Sequence, residues 1–218
     1  MEILQKMKKS KIFDQISEND IKALHFCFKT RVLSIKKGDV LIDEGEPFES
    51  IVLVLDGHLR SVITDYYDAT SILADYYSGD AVGIEEAYSG DTTAQYTLIA
   101  IEDTQVLTMN KYRVIQPCSN MCIRHTQLQN NLVKIISQKN IELMQKFNHI
   151  TRHSIRAKVL AYLQYISKKQ NSKYFDIPFN RQELADYLSV DRSALSYELS
   201  KMKKDGLIDF NKNHFMLK

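Results

Sequence analysis

Apolar residues in the first half of the chain come in short, β-branched runs separated by glycine-containing turns, a pattern typical of β-strands. Ile51–Leu55 is one such run, and Asp56-Gly57 follows it as a hairpin turn into the alternating run His58–Thr64. The other runs are Arg31–Ile35, Val40–Ile42, Ser71–Tyr77, Tyr96–Ala100 and Thr104–Met109. Because turn signals recur about every 8–12 residues, the pattern predicts a barrel, a sandwich or a β-roll.

A helical period takes over from about Asn120, and no Gly or Pro occurs between Pro117 and Pro178. One apolar stripe recurs at helical spacing: Leu128, Leu132, Ile136, Leu143, Phe147 and Ile150. A helix of roughly nine turns cannot bury such a stripe by itself, so the stripe packs either on the chain's own body or against a second copy. We favour the second copy, a homodimer, in which Asn140 would fix the register of the seam. The predicted interface residues are Leu128, Leu132, Ile136, Leu143 and Phe147.

The end of the chain carries the start and stop signals of two short helices. Asn180 and Glu183 have the spacing of a capping box, and Asp191 is placed to cap the next helix after a break at Ser189-Val190. The later elements are a helix from Arg192 to Lys204, Gly206 as its stop, and hairpin arms at Leu207–Phe210 and His214–Leu217. Helix, short turn, helix and hairpin together predict a winged helix-turn-helix.

Composition indicates an ordinary globular chain, with 44% apolar and 26% charged residues. No apolar run approaches the roughly 20 residues of a membrane helix, so no membrane partner is expected. Four lysines between Met1 and Lys11 are not followed by an apolar segment, so no signal peptide is expected either. Three cysteines are too few for a disulfide framework, and the predicted location is the reducing cytoplasm.

The net charge of +2 conceals a marked asymmetry. Residues 151–218 carry 13 Lys and Arg against 7 Asp and Glu, whereas the preceding part of the chain has an acidic excess. A basic tail on an acidic body predicts a polyanionic partner. Because the tail is predicted to form a winged helix-turn-helix, the expected partner is double-stranded DNA.

The second helix of a helix-turn-helix places its first turns in the major groove. This predicts a reading face made of Arg192, Ser193, Ser196 and Tyr197. Arg192 can donate two hydrogen bonds to guanine O6 and N7; the alternatives are a pair with Asp191 or a phosphate contact. Three further residues are predicted to position the DNA backbone: Arg181, Gln182 and Lys201.

Several different short motifs follow one another along the chain. They are Lys37-Gly38-Asp39, Glu44-Gly45, Asp56-Gly57, Gly79-Asp80 and Gly83, then the long helix, then Arg181–Ala185 and Asp191–Ser196. Together they resemble the bacterial Crp/Fnr transcription regulators. The resemblance implies an α+β fold: a jelly-roll-like, double-stranded β-roll of the cyclic-nucleotide-binding type at 1–118, a dimerisation helix at 119–150 and a winged helix-turn-helix at 151–218. It implies a transcription regulator and not an enzyme. Such a regulator binds a palindromic operator as a homodimer, and its further expected partners are RNA polymerase and a small-molecule effector.

The segment from Gly79 to Tyr96 departs from the cyclic-nucleotide-binding members of that family. It contains no Lys or Arg but four carboxylates, at Asp80, Glu85, Glu86 and Asp91. A buried cyclic phosphate needs a compensating cation, so cAMP is not the expected effector. The pocket is then either empty or occupied by a less anionic molecule. Its candidate lining residues are Gly83, Ile84, Glu85, Tyr88, Thr92 and Thr93.

No cofactor and no metal is expected. Cys118 and Cys122, four residues apart, could form a redox pair or two metal ligands, but plain thiols are the simpler interpretation. The alternative function is an enzyme or metal-binding protein on a cupin-like β-roll; it needs clustered His and Glu on the strands, where only His58 occurs. In the recognition helix, Ser193 and Tyr197 stand where family members with a well-known operator carry an acidic residue and a second arginine, so a different operator is expected.

Overall fold

The computed structural model describes residues 2–64, 66, 70–90, 93–116 and 122–218. The chain forms two compact units, residues 1–137 and residues 138–218. Their boundary lies inside the longest helix, α5, which runs from Ile123 to Ile150. This division differs from the three segments predicted from the sequence, because the first half of α5 belongs to the N-terminal unit.

The N-terminal unit is built from eight strands and several helices among the residues described. Its elements are α1 (Glu2–Lys8), a 3₁₀ turn (Lys11–Phe13), α2 (Glu18–Cys27), β1 (Arg31–Ile35), β2 (Val40–Ile42), β3 (Ser50–Asp56), β4 (His58–Thr64), β5 (Thr70–Tyr77), β6 (Ala81–Val82), α3 (Ile84–Ser89), β7 (Thr97–Ala100), β8 (Thr104–Asn110), α4 (Lys111–Ile115) and the start of α5. The strands form two antiparallel sheets with the orders β1-β8-β3-β6 and β2-β7-β4-β5. The predicted fold class is confirmed.

Strand β3 explains why Ile51–Leu55 is apolar throughout rather than alternating. Successive side chains of a strand point to opposite faces. Val52 and Val54 belong to the cluster between the two sheets. The intervening residues Ile51, Leu53 and Leu55 belong to a second cluster with the N-terminal helices. Both faces of β3 are therefore buried, so neither face selects polar residues.

The apolar stripe of α5 is divided between two environments. Leu128 and Leu132 are fully buried in the N-terminal unit's own core, and Ile136 is half-buried against the same cluster. The prediction that Leu128 and Leu132 form a dimer interface is therefore corrected: the chain itself covers them. Leu143 and Phe147 are 65% and 66% exposed. Only this second half of the stripe is free to contact another molecule.

The C-terminal unit contains the predicted winged helix-turn-helix. Its elements after α5 are α6 (Ile155–Gln170), β9 (Tyr174–Asp176), α7 (Arg181–Leu188), α8 (Arg192–Lys204), β10 (Ile208–Asn211) and β11 (His214–Leu217). The wing is an antiparallel sheet in the order β10-β11-β9. Asn180 and Glu183 form the expected capping box, and Asp191 caps α8. The break between the helices turns at Ser189, whose φ of 51° is left-handed.

His149, in the last turn of α5, is buried in a group of tyrosines. Its Nδ1 lies 3.0 Å from the Tyr187 hydroxyl oxygen, and its ring centroid lies 5.7 Å and 5.4 Å from those of Tyr162 and Tyr165. The residue is 2% exposed, and burial, together with the positive charge of Arg152, lowers the pKa of the imidazole. The neutral imidazole therefore joins α5 to α6 and α7.

We expect the C-terminal unit to lose stability in mild acid through His149. Because the pKa of His149 is lowered in the folded chain, its contribution to the free energy of unfolding is complete above the unfolded value of about 6.5. It is lost as the pH falls through the lower folded value. Urea unfolding of the wild type, His149→Gln and the exposed control His153→Gln at neutral and mildly acidic pH measures this. A His149→Gln variant with the wild-type loss of stability in acid would contradict the assignment.

Candidate nucleic-acid interface and sensor segment

The N-terminal turns of α8 present an exposed polar face. Asp191 holds the start of this helix by accepting hydrogen bonds from the Ala194 amide, at 2.8 Å, and from the Ser193 hydroxyl. These bonds lower the pKa of Asp191, so its carboxylate stays charged at the positive end of the helix dipole. The buried face is formed by Leu195, Leu199 and Met202, and the exposed residues include Arg192, Ser193, Ser196, Tyr197 and Lys201.

The side chains of that face differ in how many of their polar groups already form hydrogen bonds within the chain. Ser196 donates its hydroxyl hydrogen to the Arg192 carbonyl at 2.9 Å, so only its oxygen lone pairs remain for a ligand. Tyr197 is 72% exposed. Among the described residues, none forms a hydrogen bond or an ion pair with the Arg192 guanidinium, including Asp191. The guanidinium of Arg192 therefore has all its N–H donors available at the start of the helix.

Arg181 has a structural role that the sequence did not reveal. Its Nη2 donates to the Lys212 carbonyl at 3.0 Å, and its guanidinium carbon lies 4.8 Å and 5.2 Å from the ring centroids of Phe210 and Phe215. Burial lowers the pKa of this arginine. Arg181 therefore attaches the first helix of the motif to the wing, rather than standing free for a phosphate.

The structure brings the start of α7, the start of α8 and the wing turn around one depression. It is lined by Asn180, Arg181, Gln182, Arg192, Lys212 and Asn213. Lys212 and Asn213 were not among the predicted site residues; the signal that could have found them is the polar turn Asn211–Asn213 between two strands. The side-chain Nε2 of Gln182 donates a hydrogen bond to Oδ1 of Asp186 at 2.8 Å. Lys201 is exposed further along α8.

Two cations of the C-terminal unit pair with carboxylates of the same unit. Arg156 pairs with Glu198 at 2.6 Å and with Asp205 at 2.7 Å, and Lys203 pairs with Asp209 at 2.6 Å. The 13 Lys and Arg residues of the tail are therefore not all available to a polyanion.

The predicted lining residues of an effector pocket lie in different environments. Gly83 has a φ of +83°, and a Cβ there would lie 2.7 Å from the Ser50 carbonyl oxygen, so glycine is required. Ile84 is fully buried in the cluster with the N-terminal helices, and the prediction that it lines a pocket is corrected. Glu85, Tyr88 and Thr93 are exposed, and Thr92 lies outside the described residues.

His58 and Cys122 are the described residues that the sequence offered for metal or redox chemistry. In the part of the chain that the structure describes, no group of three or more His, Cys, Asp or Glu side chains is arranged to hold a metal ion. His58 instead bonds to Asp75 at 2.7 Å and stacks on Tyr77. Cys122 is half-buried, and Cys118 lies outside the described residues. The helices of these described ranges include none with the length and hydrophobicity of a membrane-spanning segment.

Two family models match the chain. The cyclic nucleotide-binding domain matches residues 32–120, and the Crp-like helix-turn-helix domain matches residues 157–218. The transcriptional activator protein FnrA of Stutzerimonas stutzeri is 23% identical over 182 residues, which is 80% of this chain and 71% of that protein. The catabolite activator protein of Thermus thermophilus has a similar fold, with a TM-score of 0.57, 17% identity and coverage of 96% and 94% of the two chains.

An enzyme is also among the relatives. Lysophospholipase nte1 of Neosartorya fischeri is 27% identical over 123 residues. The match covers 56% of this chain but only 8% of the lysophospholipase, so this chain corresponds to a small part of that protein.

We expect Arg181→Ala to loosen the wing. Loss of the bond to Lys212 and of both ring contacts should lower the free energy of unfolding by about 1–3 kcal/mol. Denaturant unfolding measures the loss, and Gln182→Ala, at the exposed neighbouring position, serves as the control. Equal stability of the two variants would show that the ring contacts do not hold the wing.

Proposed function

Because the chain belongs to the Crp/Fnr family of transcription regulators, we propose that it binds a two-fold DNA operator as a homodimer and regulates transcription in response to a signal received by its β-roll. The observation that carries the proposal is the free guanidinium of Arg192 at the start of α8. It stands on a face whose opposite side is fully buried, beside the wing turn at Lys212.

Base reading follows from the geometry of that face. The start of a recognition helix lies in the major groove, where a bidentate arginine selects guanine. Arg192 makes no competing contact with the described residues, and its neighbours Ser193, Ser196 and Tyr197 are exposed beside it. Gln182 and Lys201 are exposed at positions suited to phosphate contacts, and Lys212 joins them as a proposed contact from the wing. The guanidinium of Arg192 would read the DNA sequence, and the phosphate contacts would fix the position of the protein along the duplex.

The homodimer is supported by the second half of α5. Four large apolar side chains in this part of the helix are exposed: Ile141, Leu143, Met144 and Phe147. They recur at spacings of three and four residues, so they form one apolar face of the helix. A second copy would cover this face with the same residues, as a two-fold interface requires. The same two-fold axis would present two recognition helices to a palindromic operator.

The proposed effector of the β-roll is not cAMP. The segment from Gly79 to Tyr96, which departs from the cyclic-nucleotide-binding members, contains no Lys or Arg. Arg60, on the neighbouring strand β4, is held by Asp75 through two bonds of 2.7 Å and 3.2 Å. A cyclic phosphate bound at this segment would therefore receive no compensating cation from it, at a cost of several kcal/mol.

The remaining parts of the proposal follow from the family. A regulator of this kind acts through RNA polymerase in the cytoplasm, and it needs no catalytic site. FnrA, which is similar over 80% of the chain, is a transcriptional activator. The lysophospholipase relative supports no hydrolase here, because 8% of its length is matched.

We expect Arg192→Ala and Lys201→Ala to weaken DNA binding in different ways. Arg192→Ala should cost about 1–3 kcal/mol on the cognate duplex and relax preference at one symmetric base pair. Lys201→Ala should weaken all duplexes alike and flatten the salt dependence by about one unit. Titrations against cognate and scrambled duplexes at several salt concentrations separate the two effects.

A cognate duplex for these titrations can be obtained by sequencing the DNA bound to the protein in the cell, and its half-sites should lie about 34 Å apart. Equal weakening of both duplexes by Arg192→Ala would make Arg192 a phosphate contact. Ser193, Ser196 or Tyr197 would then carry the base reading.

We expect the double variant Leu143→Glu, Phe147→Glu to be a folded monomer. Like charges that would face each other in a desolvated seam are costly, whereas both positions are exposed in the single chain. Light scattering measures the mass and circular dichroism the fold. Ile72→Glu, an exposed apolar position on β5, is the control and should stay dimeric. A double variant with the wild-type mass would place the interface elsewhere.

A further inference from the structure

One hydroxyl on the exposed face of α8 already donates its hydrogen within the chain. Ser193 lies in the first turn of the helix, directly after Arg192, and is exposed. Its hydroxyl donates to Oδ1 of Asp191, the residue that caps the helix. A serine hydroxyl has one hydrogen to donate and two lone pairs that accept. Because no described residue donates to the Ser193 oxygen, Ser193 can still accept a hydrogen bond from a ligand, but it has no hydrogen left to donate.

Asp191 holds the hydroxyl hydrogen of Ser193 firmly. Its Oδ1 also accepts a hydrogen bond from the Ala194 amide at 2.8 Å, which fixes the position of the carboxylate. The bond from the Ser193 hydroxyl, and then the bonds from the helix amides, lower the pKa of Asp191, so the acceptor is charged. A hydrogen bond to a charged acceptor is roughly twice as strong as one between neutral groups. Turning the hydroxyl hydrogen toward a neutral base would therefore lose more than the new bond gains.

The other two serines of α8 donate to neutral groups. Ser196 donates to the Arg192 carbonyl at 2.9 Å, and Ser200 donates to the Ser196 carbonyl at 3.0 Å. In an α-helix each such carbonyl also accepts from a main-chain amide. The hydrogens of these two serines are therefore held less strongly than the hydrogen of Ser193. Among the serines of this helix, Ser193 is the one in which the fold most strongly enforces an acceptor role.

The edges of the bases in the major groove distinguish an acceptor from a donor. Adenine and cytosine present amino groups, which donate, whereas guanine and thymine present carbonyl oxygens, which accept. A serine that is free to turn its hydroxyl can bond with either kind of base. A serine held as an acceptor bonds with an amino group, and its lone pairs repel those of a carbonyl oxygen. Such a serine therefore discriminates between the amino bases and the keto bases.

We propose that Asp191 is a positioning residue that fixes Ser193 as a hydrogen-bond acceptor for the operator. Each half-site then carries adenine or cytosine, and not guanine or thymine, at the base that Ser193 faces. The inference rests on the proposed function and adds a specificity that Arg192 does not supply, because the arginine donates and selects a base with two acceptors. Two consecutive residues of α8 thus select bases of opposite hydrogen-bonding character.

The test is selection of bound duplexes from a pool with randomised half-sites, carried out with the full chain. The wild type should prefer an amino base at one symmetric position by about tenfold or more, the usual effect of one mismatched base pair. Ser193→Ala removes the acceptor and should abolish the preference at this position alone, while the guanine opposite Arg192 is retained. Ser200→Ala is the matched control, because it removes an exposed serine hydroxyl further along the same helix. It should leave every preference unchanged.

Asp191→Ser tests the positioning role. Serine and aspartate cap helices about equally well, so the helix should keep its start, which circular dichroism checks. A neutral cap frees the Ser193 hydroxyl to turn toward a keto base. Titration against two duplexes that differ only at this position should show the affinity ratio of amino to keto base falling from about tenfold to below about threefold. Loss of the negative charge, or of a merely structural cap, would change both affinities by the same factor. Ser193→Ala, which leaves the cap in place, keeps the inference testable if Asp191→Ser does not fold.

A preference for a keto base at the position that Ser193→Ala relaxes would overturn the inference. Unchanged preferences in Ser193→Ala, or an affinity ratio that Asp191→Ser leaves at the wild-type value, would overturn it as well. The proposed function has a separate criterion, which is sequence-specific binding by the wild type. Such binding together with any of these three results rejects the inference alone, whereas a wild type that selects no sequence rejects the regulator too.

Discussion

The apolar stripe of α5 has to be covered, and the helix cannot cover it alone. The two halves of α5 meet this constraint differently. Leu128 and Leu132 complete the core of the N-terminal unit, which ties the helix to the β-roll. Leu143 and Phe147 remain exposed beyond the boundary between the units. One continuous helix thus belongs to the N-terminal unit at its start and carries exposed apolar side chains in its second half, and in its last turn His149 contacts Tyr187 of α7.

In the C-terminal unit, the contacts of an arginine indicate its role better than its charge does. Arg156 is held by two carboxylates, and Arg181 is stacked on the phenylalanines of the wing. Both build the scaffold from which Arg192 projects. Arginine suits these tasks because its planar guanidinium can form several directed contacts at once. Arg192 therefore projects from a helix that Arg156 fixes by its ion pairs, beside a wing that Arg181 fixes by its ring contacts.

The β-roll matches the cyclic nucleotide-binding domain, but its segment from Gly79 to Tyr96 contains no Lys or Arg. Gly83 still holds the tight turn before α3, where a side chain would collide with the backbone at Ser50. Among the described residues of the N-terminal unit, the buried Asp, Glu, Lys or Arg side chains are Glu86 in α3 and Lys111 in α4. One fold can accommodate different ligands, because packing sets its shape and a few polar groups set its selectivity.

Local patterns in the sequence determined the strands, the long helix and the capped helix pair, because a strand's alternation, a helix's stripe and the bonds of Asn180 and Asp191 depend on residues within a few positions. The two-residue strand β6 and the short helices α1 and α3 were missed, since elements of this length show no period. Only the tertiary structure decided what covers Leu132, that Ile84 faces the core, that Arg181 holds the wing and that Glu86 is buried. Each of these depends on residues distant in sequence that fold against the same point, and no local pattern records which neighbours those will be.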